Sequence, residues 1–178
     1  MPDDLDALLG EPKAGDRWRT LRSILLSLLL ALAIFTGVGV LRAPSLPEQA
    51  PPFALPDIAG TTVSLKQHRG SLVVLNFWAT WCGPCRMEVP AFSAFADDHP
   101  EVVVLGLATD DEPSRVPAAV DQLGFTYPVL LADRATRSAY GIDIVPTTVF
   151  VDPEGRVAYA HSGLMLGWQL RLLAWWFG

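Results

Sequence analysis

The sequence predicts an α/β sandwich around a mixed sheet, preceded by a single N-terminal transmembrane helix. Three features predict it. From residue 53 onward, apolar strand-like runs alternate with helix-like segments, a pattern that packs as helices on a sheet. The stretch Ser23–Leu41 holds nineteen residues without a charge. A proline-rich stretch, residues 42–52, stands between the two.

Taken in order, residues 1–22 read as a cytoplasmic segment. The run Ser23–Leu41 would be about 28 Å long as a helix, close to the roughly 30 Å hydrocarbon core of a bilayer. Lys13, Arg17, Arg19 and Arg22 precede it and Arg42 alone follows closely, which places the N-terminus in the cytoplasm and everything after Arg42 outside it. The apolar run is too long, and its small-residue triplets too internal, for a cleaved signal, so an uncleaved anchor is expected. The domain then runs from 53 to 178. Phe53–Leu55 and Thr62–Leu65 read as short extended pieces around an Ala59-Gly60 turn. Leu72–Trp78 is a continuous apolar run, as in a strand covered on both faces. A helix is expected from Cys82 to Ala96, with a kink at Pro90, and a second buried strand over Val102–Ala108. Pro117–Leu123 and Ala135–Tyr140 suit short helices stopped by Gly124 and Gly141. Thr147–Val151 and Val157–Ala160 form a hairpin about Asp152-Pro153-Glu154-Gly155.

Composition narrows the function. Hydrophobic residues make up 51% of the 178 and charged residues 18%, which excludes a disordered chain. The net charge of −6 belongs wholly to residues 43–178, with fourteen acidic and eight basic side chains. No nucleic-acid surface is expected from that balance. Two cysteines are too few for a disulfide scaffold or a four-thiolate zinc site.

Those two are paired as Trp81-Cys82-Gly83-Pro84-Cys85, between an apolar strand and a helix. A helix start favours a thiolate on Cys82, and Pro84 fits the first turn, where a missing N–H costs nothing. Cys85, one turn in, is placed to attack a mixed disulfide at Cys82. As half a zinc site the pair lacks partners, because His68, His99 and His161 are scattered. As a structural bridge it would constrain almost no chain entropy. Redox chemistry is the expectation, with no cofactor beyond the Cys82–Cys85 disulfide and no metal.

The segment NFWATWCGPCRMEVP (Asn76–Pro90), together with IVPTTVFVDPEGRV (Ile144–Val157) and the anchor, resembles the membrane-anchored thioredoxin-like thiol–disulfide oxidoreductases of the TlpA/ResA/DsbE group, within the AhpC/TSA–redoxin superfamily. The resemblance covers roughly residues 50–165. It implies a thioredoxin-like mixed sheet flanked by helices. It also implies that Cys82 attacks, Cys85 resolves, Trp81 covers the pair, and Pro146 is a cis-proline presenting the Val145 backbone to a peptide. An ordinary strand-leading proline is the alternative at Pro146. The group carries a glutamate at the position of Glu88, thought to relay protons, and Asn76 stands where thioredoxin has a buried aspartate. A solvated glutamate near a helix N-terminus is the alternative at Glu88.

The resemblance further implies a domain facing the periplasm from the bacterial inner membrane. Its substrates would be exported proteins with cysteine pairs, of the cytochrome c or copper-site assembly type, and a membrane protein would donate the electrons. Members dedicated to cytochrome c often read Pro-Glu-Thr where this chain has Pro146-Thr147-Thr148, which weakens that assignment. A non-enzymatic copper carrier using Cys82, Cys85 and His161 is the competing reading. A peroxidase lacks its usual threonine–cysteine arrangement.

Leu166–Gly178 is tryptophan-rich. On a helix, Leu166, Leu170, Leu173 and Phe177 share one face, with Trp168 and Trp175 nearly opposite. The leucine face suits packing on the sheet, and the tryptophan face suits contact with a bilayer or a membrane partner.

Overall fold

The computed structural model describes residues 18–30, 47–110 and 112–178. The chain divides into two units, Met1–Leu41 and Arg42–Gly178. In the first, residues 18–30 are helical (α1), with Leu25 and Leu28 exposed. Only Ser23–Leu30 of the expected membrane span falls within that helix; residues 31–41 lie outside the described residues, as do 1–17 and 42–46. Among the described residues no helix is long and apolar enough to cross a membrane.

The second unit is built on a five-stranded mixed sheet. Its strands are β3 (Val73–Trp78), β4 (Val103–Ala108), β5 (Val129–Leu131), β6 (Thr147–Val151) and β7 (Val157–Ser162), in the order β5-β4-β3-β6-β7. Central β3 runs parallel to β4 and antiparallel to β6, while β5 is parallel to β4 and β7 antiparallel to β6. A separate antiparallel pair, β1 (Ala54–Pro56) and β2 (Thr62–Ser64), precedes the sheet.

Alternation along β3 assigns the two faces. Val73, Leu75 and Phe77 join Leu105, Leu107 and Val149 in a core closed by Phe53, Leu55 and Tyr140. Val74 points the other way, into a core with Val104 and Phe150. Helix α2 (Gly83–Asp98) contributes Phe92 and Phe95 to that side, and α5 (Gly167–Phe177) contributes Leu170 and Ala174. Helix α3 (Val116–Leu123) adds Val116 and Val120 against Trp78 and Ala108. Burying a phenylalanine such as Phe92 stabilises the fold by about 1.5–3 kcal/mol. The remaining helix, α4 (Arg134–Ala139), is capped by the Asp133 carboxylate, which accepts the Thr136 N–H at 2.7 Å.

Most expected elements are present within a residue or two. Pro90 lies inside α2, which remains helical from Gly83 to Asp98. Gly124 ends α3 with a φ of 71°, a left-handed conformation that a glycine adopts at little cost. Two differences stand out. β5 was not expected, being three residues long at a sheet edge. The proline-rich stretch, residues 42–52, expected as an extended, fairly stiff tether, hydrogen-bonds to the domain from Glu48 onward: the Val157 N–H donates to the Glu48 carbonyl at 2.9 Å and the Ala50 N–H to the Gly155 carbonyl at 3.0 Å. Proline lacks an N–H, but the residues between prolines do not, and these pair with the β6–β7 turn.

Gly106 on β4 pairs with Asn76. A Cβ there would lie 3.2 Å from Tyr127 Cε2 and 3.2 Å from Val129 Cγ2, so both buried side chains would have to give by a few tenths of an ångström. Gly106→Ala is expected to lower stability by about 1–3 kcal/mol in urea unfolding. A variant as stable as the parent would show that these neighbours yield freely.

Candidate active site

β3 ends at Trp78, and after three intervening residues the chain turns into α2 with Cys82 as its N-cap. The Cys82 N–H donates to the Ala79 carbonyl at 3.1 Å, and the Cys85 N–H donates to Cys82 Sγ at 3.2 Å. Unpaired N–H groups of a first helical turn stabilise negative charge, so this sulfur sits where a thiolate is favoured. Pro84 occupies the first turn of α2, where it removes no needed donor. Cys82 and Cys85 are joined by a disulfide with S–S 2.05 Å. Cys82 retains 4% exposure and Cys85 none, so an incoming group reaches the pair only at Cys82. Trp81 stands beside it, 74% exposed.

Across from the pair, the Val145–Pro146 peptide is cis. Val145 packs against the cluster holding Cys82 and Cys85. The turn is held by the Pro146 carbonyl, which accepts the Gly163 N–H at 2.8 Å, and by the Thr147 hydroxyl, which donates to the Ile144 carbonyl at 2.7 Å. Trp81, Thr109, Arg137, Ile142, Ile144 and Val145 line a groove of about 270 Å³.

Glu88, 2% exposed, lies on the same helix as Cys85 and one turn further along. It is not a solvated surface glutamate. Asn76 Nδ2 donates to its Oε1 at 2.7 Å and the Met165 N–H to its Oε2 at 3.1 Å. Burial pushes the carboxyl up to about 7, the two donors offsetting only part of that. Tyr127 is buried nearby; burial and the Glu88 charge both hold its phenol well above the usual range. A carboxyl held up toward neutral pH therefore lies on α2, one turn beyond the resolving cysteine.

The structure thus brings Trp81, Cys82, Gly83, Pro84, Cys85, Val145 and Pro146 to one end of the sheet, with Glu88 further along α2 against Asn76 of β3. It does not gather His161 with them. Among the described residues no group of three or more His, Cys, Asp and Glu is placed to hold a metal. Sequence reasoning missed Asp110, whose carboxylate accepts the Thr80 N–H at 3.1 Å and also the Thr80 hydroxyl, pinning the loop before Trp81. Thr109 supports it by donating its hydroxyl to the Trp78 carbonyl at 3.0 Å. The available signal was position: both follow the carboxyl end of a strand, where open α/β sheets place functional groups.

The AhpC/TSA family matches residues 46–160. This chain belongs to that family. The thioredoxin-like protein YneN of Bacillus subtilis (strain 168) is 34% identical over 149 residues, covering 78% of this chain and 88% of its own. The thiol-disulfide oxidoreductase ResA of the same organism is 33% identical over 153 residues, covering 80% and 83%. Among solved structures, StoA from Bacillus subtilis superposes with a TM-score of 0.62 at 26% identity, covering 71% of this chain and 98% of that one. With these relatives and the cysteine pair, this AhpC/TSA member is a thioredoxin-like thiol–disulfide oxidoreductase.

Proposed function

We propose that this oxidoreductase is anchored in the bacterial inner membrane by Ser23–Leu41, faces the periplasm, and reduces disulfides in exported proteins. The observation that carries the chemistry is the stack of Cys82 at the helix start, Cys85 wholly buried behind it and Glu88 buried next along α2. In the reduced protein the Cys82 thiolate attacks a substrate disulfide, forming a mixed disulfide and releasing one substrate thiolate. Cys85 loses its proton to the Glu88 carboxylate and attacks Cys82 Sγ. The Cys82–Cys85 disulfide forms, the second substrate sulfur leaves, and two electrons have passed to the substrate. Trp81 and the Val145 backbone line the approach and hold the incoming peptide. The electrons reside in the cysteines themselves, so the cycle needs no further cofactor. A membrane-borne donor must restore the dithiol, because the compartment is oxidising.

Substrates with cysteine pairs, of the cytochrome c or copper-site assembly type, fit the small exposure of Cys82, which a flexible peptide reaches and a folded surface does not. The direction is tested by the midpoint potential of the pair. A reductant is expected near the roughly −270 mV of thioredoxin, whereas a value near the about −120 mV of a strong oxidant would contradict the reading.

A further inference from the structure

Helix α5 presents two faces, and the fold uses one. Leu170 and Ala174 are buried in the core, and Phe177 packs on the rings of Tyr159 and Phe150 with centroids 6.3 and 6.4 Å apart. On the other side Trp168 is 62% exposed, Leu172 53%, Trp175 76% and Trp176 71%. At 100° per residue, Trp168, Leu172 and Trp175 fall within roughly 60° of one another, with Trp176 at the edge. Three of the four are tryptophans, the largest of all side chains, and the domain covers none of them. In a domain carrying fourteen acidic residues, α5 has none; its one charge, Arg171, pairs with Asp98 on α2 at 3.3 Å.

The position of this face identifies its occupant. The domain begins where Glu48 and Ala50 hydrogen-bond to the β6–β7 turn at Val157 and Gly155. That turn lies at the end of the sheet where β3 starts, since Val73 pairs with Val151. The Phe177 end of α5 lies there too, against Phe150 and Tyr159, with Gly178 beside Leu72. Cys82 follows the opposite end of β3, about 17 Å away along the strand. The exposed Trp175 and Trp176 therefore share a pole with the point where the chain joins the domain, and the redox pair does not. From Leu41 to Pro47 there are six residues, spanning at most roughly 22 Å. A chain anchored through Ser23–Leu41 holds this pole close to the bilayer, and tryptophan is the side chain that concentrates at the membrane interface.

We propose that the Trp168, Leu172, Trp175 and Trp176 face of α5 docks on the lipid surface, an interfacial helix that steadies the tethered domain. The proposal rests on the anchored reading given above. Docking keeps the redox pair at a set height, within reach of a membrane-borne electron donor.

The test uses the full chain with Trp18→Phe as background, in vesicles of phosphatidylethanolamine and phosphatidylglycerol with brominated acyl chains, which quench tryptophan on contact. Flotation with the vesicles reads the anchor, and quenching reads the docking. The chain carrying Trp168→Ser, Trp175→Ser and Trp176→Ser is expected to float like its parent and to lose most of the quenching. Trp81→Phe is expected to leave the quenching in place. Single Trp→Phe exchanges at the three positions, each removing part of the quenching, carry the same test if the triple variant melts early. A floating chain with no bromine quenching at these tryptophans overturns the docking and leaves the anchor standing. Emission that follows protein concentration and ignores bromine overturns it in favour of a second copy. A chain that does not float overturns the anchored reading, and the docking with it.

Discussion

Cys82→Ser is expected to bring disulfide reduction down to the uncatalysed background, while Cys85→Ser completes the first step and stops there. The asymmetry follows from access: Cys82 keeps a small exposed surface at the helix start, and Cys85 has none. Without Cys82 no sulfur of the pair meets the substrate. Without Cys85 the mixed disulfide on Cys82 has no neighbour to resolve it, so it accumulates and is visible as a reducible adduct on a non-reducing gel. Adducts on both single variants in equal amount would mean that Cys85 is reachable, against its burial. The same Cys85→Ser adduct, formed in cells, identifies the partner protein.

The second large effect belongs to Glu88. An unfolded glutamate titrates near 4.5 and the folded one at about 7. Between those values the unfolded chain gives up a proton that the folded chain keeps. Stability therefore falls as pH rises through that window, by about 3 kcal/mol in full, and is flat above it. Glu88→Gln removes the slope. It also leaves one of the two donors, Asn76 Nδ2 or the Met165 N–H, without its acceptor, costing about 1–3 kcal/mol at every pH. In urea unfolding of the disulfide form, the variant is thus expected to be the less stable protein at pH 5 and to close the gap by pH 8. Parallel stability curves would place the Glu88 titration elsewhere.

Much of this fold was legible because its signals are local. The apolar run of β3, the glycines closing α3 and α4, and the Asp152–Gly155 turn each specify an element from a few neighbouring residues. β5 was not legible: Val129–Leu131 is too short for periodicity, and its strand character comes from pairing with Gly106–Ala108 on β4. The attachment of Glu48 and Ala50 was hidden for the same reason, since their partners lie more than a hundred residues on. The α5 leucine face was read correctly at Leu170, but Leu166 is the N-cap and stays 48% exposed. In the site, the cysteine pair and Pro146 were marked by motif. The burial of Glu88 depends on Asn76 and Met165, twelve and seventy-seven residues away, and only the folded chain brings them together. Asn76 did give a partial signal, because an amide in place of a carboxylate leaves Glu88 as the titrating group.

The assignment of proton transfer to Glu88 is tested most directly by single-turnover reduction of a disulfide peptide across pH, comparing the reduced parent with Glu88→Gln. The parent rate is predicted to titrate with a midpoint near the about 7 of the buried carboxyl, and that titration is predicted to vanish in the variant while the Cys82 step persists. An identical pH profile in both proteins would contradict the account.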